Sequence, residues 1–325
     1  MNGIVHKFFS STILAASVYV ATTVAAKDLR AELTLADRAL AAQDYPAAYR
    51  AYAHHAPRNA LAQFNLGLFE LHGWGRPANP AAACAWFDKA AQRNIPAAQQ
   101  FLGDCLAQGI GRAVDGPAAL QWYARAAAAG IAAAGCSAGE LYLAGRVVRR
   151  DVAQGLALCT QAAQAESVPA MLKLADHYRN SHDHLHLHLA RFWYDQAAQR
   201  HSHVAQWRLG LMQSAGEGGA PDVAQARFWL EHAAMEGYAP AYLPTAILYA
   251  NAPLDPATGA LAPADLARVY MWNQAARATT PDPIQLAGIA RIDAMVLAVM
   301  PPPWRADLDR KVAAHLARFS PQVAH

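Results

Sequence analysis

The feature that most constrains the fold of this chain is a period of 35 or 36 residues that recurs through its middle. Such a period predicts a repeat architecture, in which each unit buries its apolar face against its neighbours. Alanine opens each period at Ala62, Ala98, Ala134, Ala170, Ala205 and Ala241. Five positions later stands a column of tiny residues, Gly67, Gly103, Gly139, Ala175, Gly210 and Ala246.

A bulky column follows in each period, at Trp86, Trp122, Leu158, Trp193, Trp229 and Met271. Its neighbour column reads Phe87, Tyr123, Cys159, Tyr194, Leu230 and Trp272. The chain is rich in alanine, which favours helix. We therefore expect an all-α fold of six helical hairpins, in which the tiny column lets two helices approach and the bulky column fills the space beside it.

The first period shows the pattern at its clearest, with Leu66-Gly67, Gly73-Trp74-Gly75, Trp86-Phe87 and Ala90-Ala91. This pattern resembles the Sel-one-like repeat (SLR) family, which is related to the tetratricopeptide repeats. The resemblance implies a right-handed α-solenoid, with six SLR repeats over residues 60–282. Residues 27–59 resemble a shorter, tetratricopeptide-like hairpin.

Both ends of the chain depart from the period. Lys7, the apolar run 8–20 and the small residues up to Ala26 predict a signal peptide at residues 1–26 that is cleaved before Lys27; an uncleaved anchor is the alternative. Residues 283–325 predict two helices, separated by three prolines, that form a C-terminal helical cap. Docking of a partner on the last helix is the alternative for its apolar stripe.

The four cysteines fit disulfides in an exported protein. In a hairpin arrangement Cys84 faces Cys105 across the first junction between repeats, and Cys136 faces Cys159 across the loop of their own hairpin. We predict these two bonds. The alternative is four buried free thiols, because facing helices do not guarantee the spacing that a disulfide needs.

A histidine-rich segment, residues 181–188, replaces the glycine-rich turn of the fourth repeat. Imidazoles are ligands for zinc, copper and nickel, so the segment could bind a transition metal, the one cofactor that we consider for this chain. The candidate ligands are His182, His184, His186 and His188. The alternative is a solvated loop without a metal.

No catalytic or nucleic-acid-binding pattern stands out in the sequence. There is no His-Glu-x-x-His and, in the chain after residue 26, no Ser-x-x-Lys, the motif that a β-lactamase-like enzyme would need. The net charge of +3 is spread without a basic run, which argues against nucleic acid as a partner. We therefore expect a protein that is not an enzyme.

The resemblance to tetratricopeptide repeats implies that the first helices line a concave groove. The residues that follow the tiny column, together with two aromatic residues, would line it: Phe64, Leu68, Asp104, Glu140, Asp176, Trp207, Leu211 and Ile247. This order predicts a groove with an acidic centre and apolar ends, suited to a protein or peptide with a basic segment. A plain solvated surface is the alternative.

Together these features predict a periplasmic or secreted scaffold that binds other proteins and does not span the membrane once the signal peptide is cleaved. The runner-up is an envelope protein that binds a non-protein ligand, either peptidoglycan or a metal at residues 182–188.

Overall fold

The structure is a computed structural model that describes residues 30–181 and 184–319. The predicted signal peptide lies outside these ranges. The described residues form sixteen α-helices and no strand. The helices are α1 (Thr34–Ala41), α2 (Tyr45–His55), α3 (Ala60–His72), α4 (Pro80–Gln92), α5 (Pro96–Gln108), α6 (Gly116–Ala128), α7 (Ala132–Ala144), α8 (Val152–Gln164), α9 (Val168–Asn180), α10 (His184–Gln199), α11 (His203–Ala215), α12 (Val223–Met235), α13 (Tyr242–Ala250), α14 (Pro263–Thr279), α15 (Pro283–Val299) and α16 (Pro302–Phe319).

The chain divides into two compact units, residues 1–170 and residues 171–325. Within each unit, consecutive helices pack as hairpins: α3 with α4, α5 with α6 and α7 with α8 in the first unit, and α11 with α12 and α13 with α14 in the second. The all-α fold of repeated hairpins, predicted from the period, is confirmed.

Glycine and aspartate or asparagine define the turn of most hairpins. The first helix ends at a glycine in the left-handed conformation, with φ between 64° and 72°, at Gly73, Gly109, Gly145 and Gly216. A side chain would be strained there, which is why glycine recurs. The second helix starts at a residue whose side chain accepts a backbone N–H of the first turn, at Asn79, Asp115, Asp151 and Asp222. The period in the sequence is thus also a period of helix ends.

The structure corrects the predicted role of the bulky column. A Cβ on Gly67 would lie 2.4 Å from the Phe87 ring, and one on Gly103 would lie 2.6 Å from the Tyr123 ring. The neighbour column therefore fills the space that the tiny column leaves. The tryptophans are only half-buried, and Trp86 and Trp122 lie under the cations of Lys89 and Arg125, at 4.1 and 4.5 Å from the ring centres. Side chains at adjacent helix positions point about 100° apart. The rotation of the second helix therefore decides whether the bulky column or the neighbour column faces the first helix.

Near the C-terminus the repeat becomes less regular. A 3-10 turn at Ala239–Ala241 precedes α13, which is shorter than the first helices of the five preceding repeats. Both α15 and α16 pack against α14. Asn273 of α14 donates to the Ile289 carbonyl of α15 (3.0 Å), and the Tyr270 hydroxyl donates to Asp309 of α16 (2.7 Å). The two helices predicted after residue 282 are therefore present and attached to the last hairpin.

Candidate partner-binding surface

In the first unit, the predicted apolar end of the groove is largely buried. Phe64 and Leu68 are 9% and 6% exposed, respectively. Phe64 contacts Phe87 and Phe101, with ring centres 5.8 and 5.9 Å apart. Of these rings only Phe101 is half-exposed. The aromatic side chain available to a partner at this end is thus Phe101, which the sequence did not single out.

The two acidic residues of the first unit converge on one tyrosine. The Tyr123 hydroxyl of α6 donates to Asp104 Oδ1 of α5 (2.7 Å). Burial raises the pKa of the Tyr123 phenol, and the negative charges of Asp104 and Glu140 raise it further. Glu140 is exposed and Asp104 is half-buried. Both carboxylates therefore lie within electrostatic reach of the same phenol, which stays neutral at physiological pH.

In the second unit, a cation compensates the predicted acidic residue. Asp176 of α9 accepts hydrogen bonds from the Tyr194 hydroxyl and from Arg208 Nη1, the latter at 2.6 Å. Arg208 also donates to the Tyr194 oxygen at 3.0 Å. Asp176 is consequently part of a hydrogen-bonded ion pair, and its charge is offset by the first helix of the following repeat.

The remaining predicted residues of the second unit form an apolar surface. Trp207 packs against Tyr238 with ring centres 5.8 Å apart, and both residues are half-buried. Leu211 is half-buried, and Ile247 is 41% exposed. Each unit thus holds a part of the predicted lining: the acidic pair Asp104 and Glu140 in the first, and mainly apolar side chains in the second.

Sequence reasoning missed a pairing between two columns of the repeat. The residue after the tiny column, where it is aspartate, bonds to the residue of the neighbour column. Where the first helix carries aspartate, the second carries the tyrosine that bonds to it, as in Asp104 with Tyr123 and Asp176 with Tyr194. The N-terminal hairpin repeats the pair, because the Tyr52 hydroxyl donates to Asp37 Oδ1 at 2.6 Å. Other repeats place apolar residues at both positions, Leu68 with Phe87 and Leu211 with Leu230. This correlation within one chain was the available signal.

The cysteine sulfurs lie in the two predicted pairs, at disulfide distance. The Cα atoms of Cys84 and Cys105 are 5.9 Å apart and link α4 to α5 across the junction between two repeats. Those of Cys136 and Cys159 are 4.0 Å apart and link the helices of one hairpin, α7 and α8. All four side chains are buried. The first unit therefore holds both pairs.

The predicted metal ligands are only partly described. His182 and the side chain of His184 lie outside the described residues. His186 Nδ1 lies 2.7 Å from the Ser181 hydroxyl, and the His186 ring packs on Tyr178. His188 is exposed. Within the described part of the chain, no three His, Cys, Asp or Glu side chains are close enough to hold a metal. Metal binding at this segment stays a prediction.

A separate observation concerns membranes. Among the helices within residues 30–181 and 184–319, none is both long and apolar enough to cross a bilayer.

Solved structures support the fold assignment. The chain is similar to an SLR-fold protective antigen of uropathogenic Escherichia coli, c5321, with 21% identity and a TM-score of 0.56 over 85% of this chain. It spans only 59% of that protein. It is also similar to a Sel1 repeat protein of Oxalobacter formigenes, with 25% identity and a TM-score of 0.57 over 76% of this chain and 100% of that one. No curated protein sequence matches the chain.

The Sel1 repeat profile matches five consecutive segments, residues 60–95, 96–131, 132–167, 168–202 and 203–238. Each segment contains one of the first five alanines that open the period, while Ala241 and the helices α13 and α14 lie beyond the last match. The matches span more than half of the 325 residues. The predicted fold class, an all-α solenoid of SLR-type hairpins, is thereby confirmed. The chain belongs to the Sel1 repeat family, whose members are generally scaffolds for protein interactions.

Proposed function

We propose that this protein is an exported scaffold that binds a basic segment of another protein on the first-helix face of its repeats. The observation that carries the proposal is the position of two acidic residues on successive first helices, Asp104, which accepts a hydrogen bond from the Tyr123 hydroxyl at 2.7 Å, and the exposed Glu140. Two carboxylates near one neutral group create a local negative potential that attracts a lysine or arginine side chain.

The acidic pair places negative charge at the surface of the first unit. Asp104 accepts a hydrogen bond from the Tyr123 hydroxyl on Oδ1, and Glu140 is exposed. Phe101, one helical turn before Asp104, adds a half-exposed ring to the same helix. A basic residue flanked by apolar ones would fit such a surface.

Asp176 contributes less to this proposal than the sequence suggested. Its ion pair with Arg208 cancels most of its attraction for an incoming cation. We therefore place the acidic part of the binding surface at Asp104 and Glu140 of the first unit, and propose Trp207, Leu211 and Ile247 of the second unit as a separate apolar contact surface.

Export is supported by the cysteine pairs. Disulfides persist in the periplasm and outside the cell and are rare in reducing compartments. All four cysteines of the chain lie at disulfide distance in pairs. The proposal adds that residues 1–26 are removed during export, so the protein recovered from the periplasmic or secreted fraction should begin at Lys27. Mass spectrometry of its N-terminus checks this, and an intact Met1 in that fraction would contradict cleavage.

Photo-crosslinking tests the groove. A photoreactive residue replaces Ala144, an exposed residue one helical turn after Glu140 on α7, in one variant and Ala157, an exposed residue on the second helix α8, in a control. We expect a discrete crosslinked partner from position 144 and not from position 157. With the photoreactive residue kept at position 144, Asp104→Asn should weaken the crosslink, and more strongly at low salt, since surface charge attraction is screened by ions. Equal crosslinks from positions 144 and 157, or no effect of Asp104→Asn, would overturn the groove assignment.

A further inference from the structure

Helix α15 carries an unusual solvent-exposed face. On its inner side, Ile289, Asp293 and Val296 are buried at 0%, 7% and 5% exposure. On its outer side, Ile284, Met295 and Val299 are 83%, 61% and 65% exposed. Three large apolar side chains exposed along one side of a helix are typical of an interaction surface.

The outer face has the spacing of a helix-docking seam. Ile284, Arg291 and Ala298 follow one another at intervals of seven residues, and Ala287 and Ala294 repeat the interval between them. Met295 belongs to the same seam, because it lies about one helical turn after Arg291. Gly288 lies beside this line, and a Cβ on Gly288 would meet nothing within 4 Å. Small residues beside larger apolar ones let a second helix approach closely.

One charge lies at the centre of this face. Arg291 is exposed, and its guanidinium makes no ion pair or hydrogen bond with any residue in 30–181 or 184–319. It stands seven positions from both Ile284 and Ala298, in the middle of the seam. A covering partner must either match this guanidinium with a carboxylate or leave a cation unpaired in an apolar interface, which is costly.

This charge also decides between possible occupants. A symmetric antiparallel pairing of two copies, centred on the seam, would bring the two Arg291 guanidinium groups side by side near the twofold axis, where they repel. A different helix with a carboxylate at its centre avoids this repulsion and forms a charge-assisted pair.

We propose that the outer face of α15 is a docking site for an amphipathic helix of another protein, with apolar seam residues around one central Asp or Glu that pairs with Arg291. The site rests on α15 alone and does not depend on the groove at Asp104 and Glu140.

The test uses three synthetic 18-residue helical peptides with Leu and Ala at the seam positions and Glu, Gln or Lys at the centre. Fluorescence anisotropy measures their binding to the purified protein. We expect the Glu peptide to bind about fivefold more tightly than the Gln peptide, and the Lys peptide to bind most weakly. Arg291→Gln should remove the difference between the Glu and Gln peptides, and Arg291→Glu should reverse the preference toward Lys.

The apolar part of the site has a matched control. Met295→Asp should weaken all three peptides at least tenfold, because it places a charge in the seam. Met235→Asp, at a methionine of similar exposure (55%) on α12, should leave binding unchanged.

Three outcomes would overturn the proposal. The first is no binding of the Glu peptide at millimolar concentration. The second is self-association in sedimentation velocity that Met295→Asp abolishes, which would assign the face to a second copy. The third is Met295-dependent binding to phosphatidylcholine vesicles with no preference for the Glu peptide, which would assign it to a membrane surface.

Discussion

In two consecutive hairpins of the first unit, the two helices contact each other in different ways. Between α5 and α6, the Tyr123 ring fills the space over Gly103, and its hydroxyl bonds to Asp104. Between α7 and α8, no aromatic ring is available at the equivalent position, which is Cys159. There a Cβ on Gly139 would lie 2.6 Å from the Gly155 carbonyl oxygen, and Cys136 and Cys159 lie at disulfide distance.

The comparison shows that one repeat period tolerates two kinds of helix contact. A ring acts as a spacer and adds a polar bond, whereas paired glycines let the main chains touch and a covalent link holds them together. The backbone of α7 and α8 can approach closely only because both contact positions lack a side chain. The departure of the third repeat from the pattern is therefore compensated within the repeat itself.

The largest effect should come from removing the covalent link of α7 and α8. The double variant Cys136→Ala/Cys159→Ala should lower the free energy of local unfolding of this hairpin by about 3 kcal/mol, because the bond closes a loop with a sequence separation of 23 residues. Hydrogen exchange of peptides from α7 and α8 measures the loss, with α5 and α6 as internal reference. A loss below about 1 kcal/mol would mean that the glycine contact alone holds the hairpin.

The next largest effect should come from adding a methyl group at each glycine contact, because its cost differs between the two hairpins. Gly139→Ala meets a main-chain oxygen that cannot move without shifting α8, so we expect a cost of about 2 kcal/mol. Gly103→Ala meets the Tyr123 ring, which can tilt, and alanine gains helix propensity, so we expect a cost of about 1 kcal/mol. Thermal unfolding compares the two variants. An equal or larger loss for Gly103→Ala would refute the distinction between ring and main-chain contact.

The phenol–carboxylate bond should contribute less to stability than the covalent link or the Gly139 contact. Tyr123→Phe keeps the ring and removes the hydroxyl, and we expect a loss of about 1 kcal/mol in the free energy of unfolding. The matched control is Tyr142→Phe on α7, a half-buried tyrosine whose hydroxyl makes no hydrogen bond within the described residues. Urea titration should show no change for the control. Indistinguishable variants would mean that the Asp104 contact adds nothing to stability.

The smallest effect is the pH dependence of the same bond. The pKa of Tyr123 is raised in the fold, so its contribution is fully present below the unfolded pKa of about 10 and is lost as the pH rises through the folded pKa. At pH 10 the stability difference between the wild-type protein and Tyr123→Phe should be about 0.4 kcal/mol smaller than at pH 8. Urea titrations at both pH values measure this, and a difference that stays constant would show that the pKa is not raised.

Much of the fold could be predicted because it follows from local rules. The glycines that end first helices, the aspartates and asparagines that start second helices and the tiny column recur at fixed spacing, so a period in the sequence becomes a period in structure. The cysteine partners followed from the same register. The candidate site was less predictable, because Phe64 and Leu68 face a neighbouring helix whose rotation the sequence does not state.

The sequence by itself determined the repeated hairpins, their boundaries and the family, since these depend on helix propensity, caps and spacing. Tertiary structure decided which side of each second helix faces inward. That choice placed Phe87 and Tyr123 over the glycines and left Trp86 and Trp122 half-exposed. It also paired Asp104 with a tyrosine and Asp176 with an arginine from another repeat. Such contacts depend on helix rotation and on residues far apart in the chain, which no local pattern specifies.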